Sequence, residues 1–320
     1  MSRSNRMHGM GQTLGRQSLS LQEQAETETP AGNPLPHIIH AELSSEQLGK
    51  RRVICVGDVH GCVDELKTLL RKCQYHKEQD LLVFNGDIVN KGPKSVQTID
   101  MIQSMDAVVV RGNQDDKALA AYVQWKNGKA LEEPMKWMED LGDTRAEWLR
   151  QLPFSLLIPT LDLLVVHAGL IPGIPLKQQS LKTLTELRVL PESLSQHTTD
   201  GQGTDCAPDK PHDAGNMIVL PNKLHPCDAQ PQVPWGSRWD GPQHVTFGHD
   251  AGRKLQTWPC ATGLDTGCCY GNQLTALIIP HQEAALCREG ASRNKRVPSL
   301  SDFDACLLMV PALKAYSQKK

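Results

Sequence analysis

The chain reads VICVGDVHG from Val53 to Gly61. Its first four residues are apolar and mostly β-branched, which favours a short buried strand. The polar residues Asp58 and His60 follow at once, with glycines on either side of the segment that holds them. Ligands of open α/β sheets gather where strands end. The stretch therefore predicts a sheet edge that presents a carboxylate and an imidazole.

The same pattern occurs twice more. Apolar runs at 81–84 and 107–110 precede the sequences GDIVNKG and GNQD, which contain Asp87 and Asn113. Apolar residues at helical spacing separate the runs, and each interval between the polar residues is close to the length of one strand–helix–strand crossover. Alternating strands and helices predict a parallel sheet. Right-handed crossovers would bring these residues to the same edge as Asp58.

Two histidines occupy comparable positions later in the chain. His167 and His249 each follow an apolar run and precede a small or polar residue, in the sequences HAG and GHDA. Either histidine alone could be a buried structural residue. Carboxylate, amide and imidazole groups together suit a divalent cation such as Mn, Fe or Zn. We expect two such ions, bridged by Asp87 because its strand is central among the first three.

Composition sets wider limits. The chain has 320 residues, of which 39% are hydrophobic and 22% charged, as in globular proteins. A net charge of -2 gives no reason to expect a nucleic-acid partner. No apolar run approaches the roughly 20 residues that span a membrane, so no membrane partner is expected, and protein partners are not predicted.

The cysteines and the N-terminal residues indicate the cellular compartment of the protein. The ten cysteines include no CxxC pair, and scattered thiols favour a reducing compartment, which predicts the cytoplasm. The N-terminal residues are rich in Arg and Ser, so targeting to an organelle is the alternative.

The pattern also predicts the organisation of the chain. We expect a disordered polar tail at 1–48 and one folded domain at 49–285. A long insertion is expected at about 175–234, where prolines replace the periodic pattern. Residues 286–320 are expected to form a C-terminal extension.

Several of these blocks carry a resemblance to a known family. The segments at 86–95, 110–113 and 263–268 resemble calcineurin-like metallophosphoesterases of the phosphoprotein-phosphatase superfamily, and among them symmetrical diadenosine-tetraphosphatase-like phosphatases. The resemblance covers about 51–173 and 235–280. It implies a four-layer α/β/β/α sandwich with a dinuclear metal site at strand ends. It also implies a metal-dependent hydrolase of phosphoric esters or anhydrides.

The resemblance assigns ligands as well. Six residues would hold two ions that share one carboxylate: Asp58, His60 and Asp87 for the first ion, and Asp87, Asn113, His167 and His249 for the second. Phosphate would contact Lys91, which stands where protein phosphatases carry an arginine, and Arg238, which lies shortly before the last of these histidines. Lysine offers one compact charge in place of a two-point guanidinium contact.

One position departs from the family pattern. Gln114 stands where the family carries a histidine that, together with an acidic residue, protonates the leaving oxygen. Glutamine can donate a hydrogen bond but cannot deliver a proton, and general acid catalysis contributes typically 10²–10⁴-fold. An alkoxide leaving group needs that proton, whereas a phosphate leaving group needs it little.

The substitution therefore predicts a preference for phosphoanhydrides, either dinucleoside polyphosphates or inorganic polyphosphate. Four residues are the expected catalytic set: Asp87, Asn113, Gln114 and Asp115. Two alternatives stay open, a protein serine/threonine phosphatase and a metal-binding pseudoenzyme that recognises phosphorylated ligands without turnover.

Overall fold

The computed structural model describes residues 26–193, 231–281 and 299–318. The strands within these ranges are β1 (His40–Glu42), β2 (Arg52–Val56), β3 (Asp80–Phe84), β4 (Val108–Val109), β5 (Ser155–Ile158), β6 (Leu163–Val166), β7 (Val189–Pro191), β8 (Gln232–Pro234), β9 (His244–Phe247), β10 (Gln256–Trp258), β11 (Ala261–Gly263), β12 (Gln273–Ile279) and β13 (Cys306–Pro311). The α-helices are α1 (Ser45–Leu48), α2 (Val63–Lys72), α3 (Ser95–Ser104), α4 (Asn113–Lys126), α5 (Gly142–Arg150) and α6 (Leu181–Glu186).

The predicted parallel strands form the centre of a five-stranded sheet. Its order is β13-β12-β2-β3-β4, in which β2, β3 and β4 are parallel. Strands β12 and β13 extend the other side of the sheet in antiparallel pairing. All five residues of β3 are buried, as expected for a parallel strand covered on both faces.

A second, six-stranded sheet packs against the first. Its order is β1-β5-β6-β9-β11-β10, with parallel pairing of β6, β9 and β11. The facing sides of the two sheets bury one apolar cluster, which includes Val53 and Val83 from one sheet and Leu156 and Val165 from the other. This cluster holds the sandwich together, because removing such surfaces from water is the main favourable contribution to folding.

Helices cover both outer faces. Leu66 of α2, Ile99 of α3 and Leu119 of α4 pack in one cluster with side chains of β2 and β3. On the other side, Leu184 of α6 and Trp235 pack against strands of the six-stranded sheet. The chain therefore has the four-layer α/β/β/α architecture that the family resemblance implied.

Regular structure begins before the expected end of the N-terminal tail at residue 48. Strand β1 pairs in parallel with β5, and α1 begins with a capping box between Ser44 and Gln47. The side-chain amide of Asn33 also donates to Asp116 Oδ1 at 2.9 Å. These contacts are backbone pairing and polar hydrogen bonds, so hydrophobic periodicity did not indicate them. Residues 1–25 of the expected tail lie outside the described residues.

The two later irregular segments are also partly structured. The expected insertion contains α6 and β7, and β7 pairs with β8 at its far end. In the C-terminal extension, β13 pairs with β12 from Cys306 to Pro311. Residues 194–230 and 282–298 lie outside the described part of the chain. Within that part, no helix is long and apolar enough to cross a membrane.

Candidate metal centre

The structure brings together all six residues predicted as metal ligands. They are Asp58 and His60 after β2, Asp87 after β3, Asn113 at the start of α4, His167 after β6 and His249 after β9. Five are buried and Asn113 is half-buried. The centre therefore lies at the carboxyl ends of strands from both sheets.

The first group of donors surrounds His60. Its Nε2 atom lies 3.7 Å from Asp58 Oδ2 and 3.6 Å from Asp87 Oδ2. Its Nδ1 atom lies 3.0 Å from the carbonyl oxygen of Val89, to which it donates a hydrogen bond. The Nε2 atom therefore carries the ring's lone pair, as in a metal-ligating histidine, and faces two carboxylates and the Lys91 ammonium.

The second group lies on the other side of Asp87. His167 Nε2 is 3.4 Å from Asp87 Oδ1 and 3.3 Å from Asn113 Oδ1. Because His167 Nδ1 donates to the Asn85 carbonyl at 2.8 Å, Nε2 and the two oxygens are all acceptors. Acceptors that converge without a donor between them fit a shared cation. Asp87 turns one oxygen to each group, which fits its predicted bridging role.

His249 supplies an independent test of this fit. Its Nε2 atom is buried and has no hydrogen-bond partner among the described residues. One donor atom each from Asp87, His167 and His249 lies within 4.8 Å of the other two. A buried polar atom without a partner is costly, and coordination of a cation would remove that cost. The residues present therefore fit two divalent cations.

Burial keeps the imidazoles in the form that binds metals. It lowers the pKa of His60 to about 4, and the charge of Lys91 acts in the same direction. It lowers the pKa of His249 to about 2, assisted by His167. Both rings are therefore neutral near pH 7, and neutral imidazole is the ligating form.

One residue of the centre escaped the sequence analysis. Asp265, which follows β11, is buried, and its carboxyl group hydrogen-bonds with that of Asp58. Burial, and then the charges of Asp265 and Asp87, raise the pKa of Asp58. The signals in the sequence were an acidic residue shortly after β11 and its place in the segment 263–268, which resembles the family. A divalent cation would offset the repulsion between these crowded carboxyl groups.

The backbone of the centre is strained. Among the described residues, non-glycine positions with positive φ include five at the centre: His60 (48°), Asp87 (51°), Asn90 (66°), Lys91 (65°) and His249 (67°). Each such residue costs on the order of 1–3 kcal/mol and persists only where its surroundings hold it. Hydrogen bonds between loops do so here, for example from the His60 N–H to the Asp87 carbonyl at 2.8 Å.

Asp115, predicted to be catalytic, contacts the backbone of the loop that carries Asp87. Its Oδ2 atom accepts the N–H groups of Asp87 at 2.8 Å and Gly112 at 2.9 Å. Its Oδ1 atom accepts those of Ile88 at 3.0 Å and Val89 at 3.3 Å. Burial, and then the charge of Asp87, raise the pKa of this carboxyl to about 8, although its backbone donors act in the opposite direction. Through these four hydrogen bonds Asp115 fixes the loop that carries Asp87.

Gln114 lies directly beside the Asp87 carboxylate. Its backbone N–H donates to Asp87 Oδ1 at 2.8 Å. Its carbonyl accepts the side-chain amide of Asn90 at 2.9 Å, and Asn90 Oδ1 accepts the indole N–H of Trp137 at 3.0 Å. The position that departs from the family pattern is therefore part of the centre.

Of the two predicted phosphate-binding residues, Lys91 lies at the centre, whereas Arg238 has no described contact with the predicted metal ligands. The Lys91 ammonium lies 2.9 Å from His60 Nε2 and 5.5 Å from the centre of the Tyr270 ring. Burial acts to lower the pKa of Lys91, but Asp87 and the other nearby acids outweigh it, so the pKa is raised. Lys91 is therefore a positive charge at the centre.

No described contact joins Arg238 to the metal ligands, and its Nε atom is buried without a hydrogen-bond partner. Arg188, which precedes β7, instead donates from Nη2 to the His249 carbonyl at 3.3 Å. Its Nε lies 4.0 Å from Asp250 Oδ1, and the side chain is about half exposed. Sequence reasoning missed Arg188 because it lies within the expected insertion.

Comparisons with known proteins agree with this geometry. The family model for calcineurin-like phosphoesterases matches residues 51–252. The symmetrical bis(5'-nucleosyl)-tetraphosphatase of Vibrio vulnificus (strain CMCP6) is 32% identical over 69% of this chain and 93% of that protein. The protein of the same name from Marinomonas sp. (strain MWYL1) is 29% identical over 71% of this chain and 94% of that protein.

A solved structure is similar as well. A crystal structure proposed to be a diadenosine tetraphosphatase shares 28% sequence identity with this chain at a TM-score of 0.62. The alignment covers 86% of this chain and 99% of that one.

Proposed function

The chain belongs to the calcineurin-like phosphoesterase family and is a hydrolase of phosphate esters or anhydrides, and from this premise we propose that its substrates are phosphoanhydrides. Dinucleoside polyphosphates and inorganic polyphosphate are the two classes that this proposal includes. The observation that carries it is the position of Gln114, whose backbone N–H donates to Asp87 Oδ1 and whose side chain cannot deliver a proton.

The six donors fit a pair of divalent cations, and such a pair supplies an activated water and neutralises phosphate oxygens. Mn, Fe and Zn are the ions that this donor set suits. Lys91 and Arg188 would bind the anionic substrate from opposite loops of the centre. Gln114 would donate a hydrogen bond to the leaving oxygen without protonating it.

The neighbouring acids do not replace the missing proton donor. Both Asp115 oxygens accept backbone N–H groups. Asp116 accepts hydrogen bonds from Asn33, Arg111 and the N–H of Ala31. Neither acid at the start of α4 is thus free to protonate a leaving group. This favours a leaving group that is already a weak base, as a phosphate is and an alkoxide is not.

The relatives support the same class of substrate. The two tetraphosphatases align over most of their own length, so the similarity includes more than the metal-binding motifs. For location, the cytoplasm stays a prediction from the sequence.

The test compares three substrates with one preparation. The protein is stripped of metal, reloaded with Mn and assayed with diadenosine tetraphosphate, long-chain polyphosphate and a phosphothreonine peptide. We expect metal-dependent cleavage of at least one anhydride and little cleavage of the peptide. Asp87→Asn, which removes the bridging charge at nearly constant shape, is the inactive control.

Gln114→His then tests the leaving-group argument. Restoring an imidazole should increase peptide turnover relative to anhydride turnover, by up to the roughly 10²–10⁴-fold that general acid catalysis supplies. Gln114→Asn, which also lacks a proton donor, is the matched control. Equal turnover of peptide and anhydride by the wild type would indicate a protein phosphatase. No turnover by metal-loaded protein would indicate a pseudoenzyme.

A further inference from the structure

A second cluster of metal-ligand side chains lies outside the dinuclear centre. It consists of Cys62, Glu65 and Cys268, and one ligand atom of each lies within 4.8 Å of the other two. The exposed fractions of these residues are 1%, 2% and 1%. Neither the family resemblance nor the proposed reaction gives this cluster a role.

The fold brings the three side chains together through α2 and one turn. Cys62 precedes the first residue of α2, and Glu65 lies in the first turn of that helix. Residues three apart at a helix start project from the same face. Cys268 comes from the turn between β11 and β12, and both cysteines are thiols without a disulfide.

Glu65 is the informative member of the cluster. Its Oε1 atom accepts the backbone N–H of Leu313 at 3.0 Å and the hydroxyl of Tyr316 at 2.9 Å. Among the described residues, no lysine, arginine or histidine lies within ion-pair distance of this carboxylate. A buried carboxylate is costly unless a cation compensates its charge. Two thiols beside it are weak donors that provide no positive charge.

We propose that Cys62, Glu65 and Cys268 supply three of the four ligands of a third metal site, which binds a single zinc ion and stabilises the fold. Two thiolates and one carboxylate are zinc donors, and the thiolates distinguish the site from the dinuclear centre, whose donors are only nitrogen and oxygen. Binding would release the two thiol protons to solvent. The zinc charge then balances the two thiolates, so the cluster keeps the single negative charge of Glu65, which coordination would place directly beside the cation.

The site would anchor the C-terminal segment to the catalytic domain. The same segment that contacts Glu65 also donates the N–H groups of Tyr316 and Ser317 to the Cys269 carbonyl, at 2.9 and 3.0 Å. Zinc at the cluster would therefore fix α2, the turn at 268 and residues 313–317 relative to one another. It would stabilise the fold without contacting substrate.

Cobalt substitution tests the proposal without relying on activity. Metal-free protein is titrated with Co²⁺ under reducing conditions, and the thiolate-to-cobalt charge-transfer absorption is recorded. The dinuclear centre has no sulfur donor and cannot produce this absorption. We expect the band in the wild type, its loss in Cys268→Ser, and its retention in Cys269→Ser, the matched control at the next residue.

Metal content gives a second readout on the same variants. Zinc-loaded wild type and Cys269→Ser should each hold about three ions per chain, and Cys268→Ser about two. Should Cys268→Ser fail to fold, Glu65→Gln replaces it, with the same expected loss. A folded wild type that binds two ions and shows no thiolate band would overturn the proposal. A Cys62–Cys268 disulfide, detected by thiol titration of freshly purified protein, would also overturn it.

Discussion

Four backbone N–H groups donate hydrogen bonds to the Asp115 carboxylate. Replacing Asp115 with asparagine changes one of its two acceptor oxygens to an NH₂ group. The remaining oxygen can serve two of these donors, so the other two would face a donor. A hydrogen bond to a charged group contributes about 1.5–3 kcal/mol. Asp115→Asn should therefore lower the free energy of unfolding by about 3–6 kcal/mol, a large part of the roughly 5–15 kcal/mol of a typical domain.

The loop that Asp115 holds also carries Asp87, so metal affinity should fall as well, by about 10–100-fold. Urea unfolding and metal content, measured on metal-loaded and metal-free protein, check both effects. Asp64→Asn is the control, because the Asp64 carboxylate is partly exposed and pairs only with surface lysines. An exposed pair contributes no more than about 1 kcal/mol.

One result would contradict the argument made from the Asp115 contacts. Asp115→Asn could unfold at the same urea concentration as the wild type, keep its metal and lose turnover only of substrates with poor leaving groups. Asp115 would then be a proton donor, and the reasoning that Gln114 leaves the centre without one would be wrong.

Three further substitutions address the centre. Gly112→Ala should abolish turnover and reduce metal content, because a Cβ atom there would lie less than 3.0 Å from the Asp87 carboxylate. Full metal occupancy of this variant would contradict the prediction. Trp137→Phe removes the N–H that donates to Asn90. It should lower kcat/KM by about 2- to 13-fold, the equivalent of about 0.5–1.5 kcal/mol. Steady-state kinetics measure this, and an unchanged kcat/KM would show that the indole contributes only packing. Arg188→Ala should raise KM by about tenfold or more if the guanidinium binds substrate phosphate, whereas an equal or larger effect of Arg238→Ala would reverse their assignment.

Much of the centre could be predicted because topology decides it. The predicted ligands follow apolar runs or begin a helix after one, and parallel strands with right-handed crossovers place such positions at one edge. The spacing between Asp58, Asp87 and Asn113 could therefore be interpreted without coordinates.

The rest depends on information that a residue pattern does not contain. Strand β1 is held by backbone hydrogen bonds to β5, so its side chains show no alternation. Asp115 looks the same in the sequence whether its carboxylate points to substrate or to backbone donors, since only the rotamer distinguishes them. Arg188 reaches His249 across 61 residues, many of them in a proline-rich segment without periodicity.

The division of the ligands between two sheets has a consequence for the protein while it is being made. Asp58, Asp87 and Asn113 leave the ribosome in quick succession. His249 comes much later, 136 residues after Asn113. At about 5–20 residues per second, that interval lasts roughly 7–27 s. Strand β12, which pairs with β2, is translated later still. The growing chain therefore presents the oxygen ligands before it has its last imidazole, and the hydrolase stays inactive until most of its translation is complete.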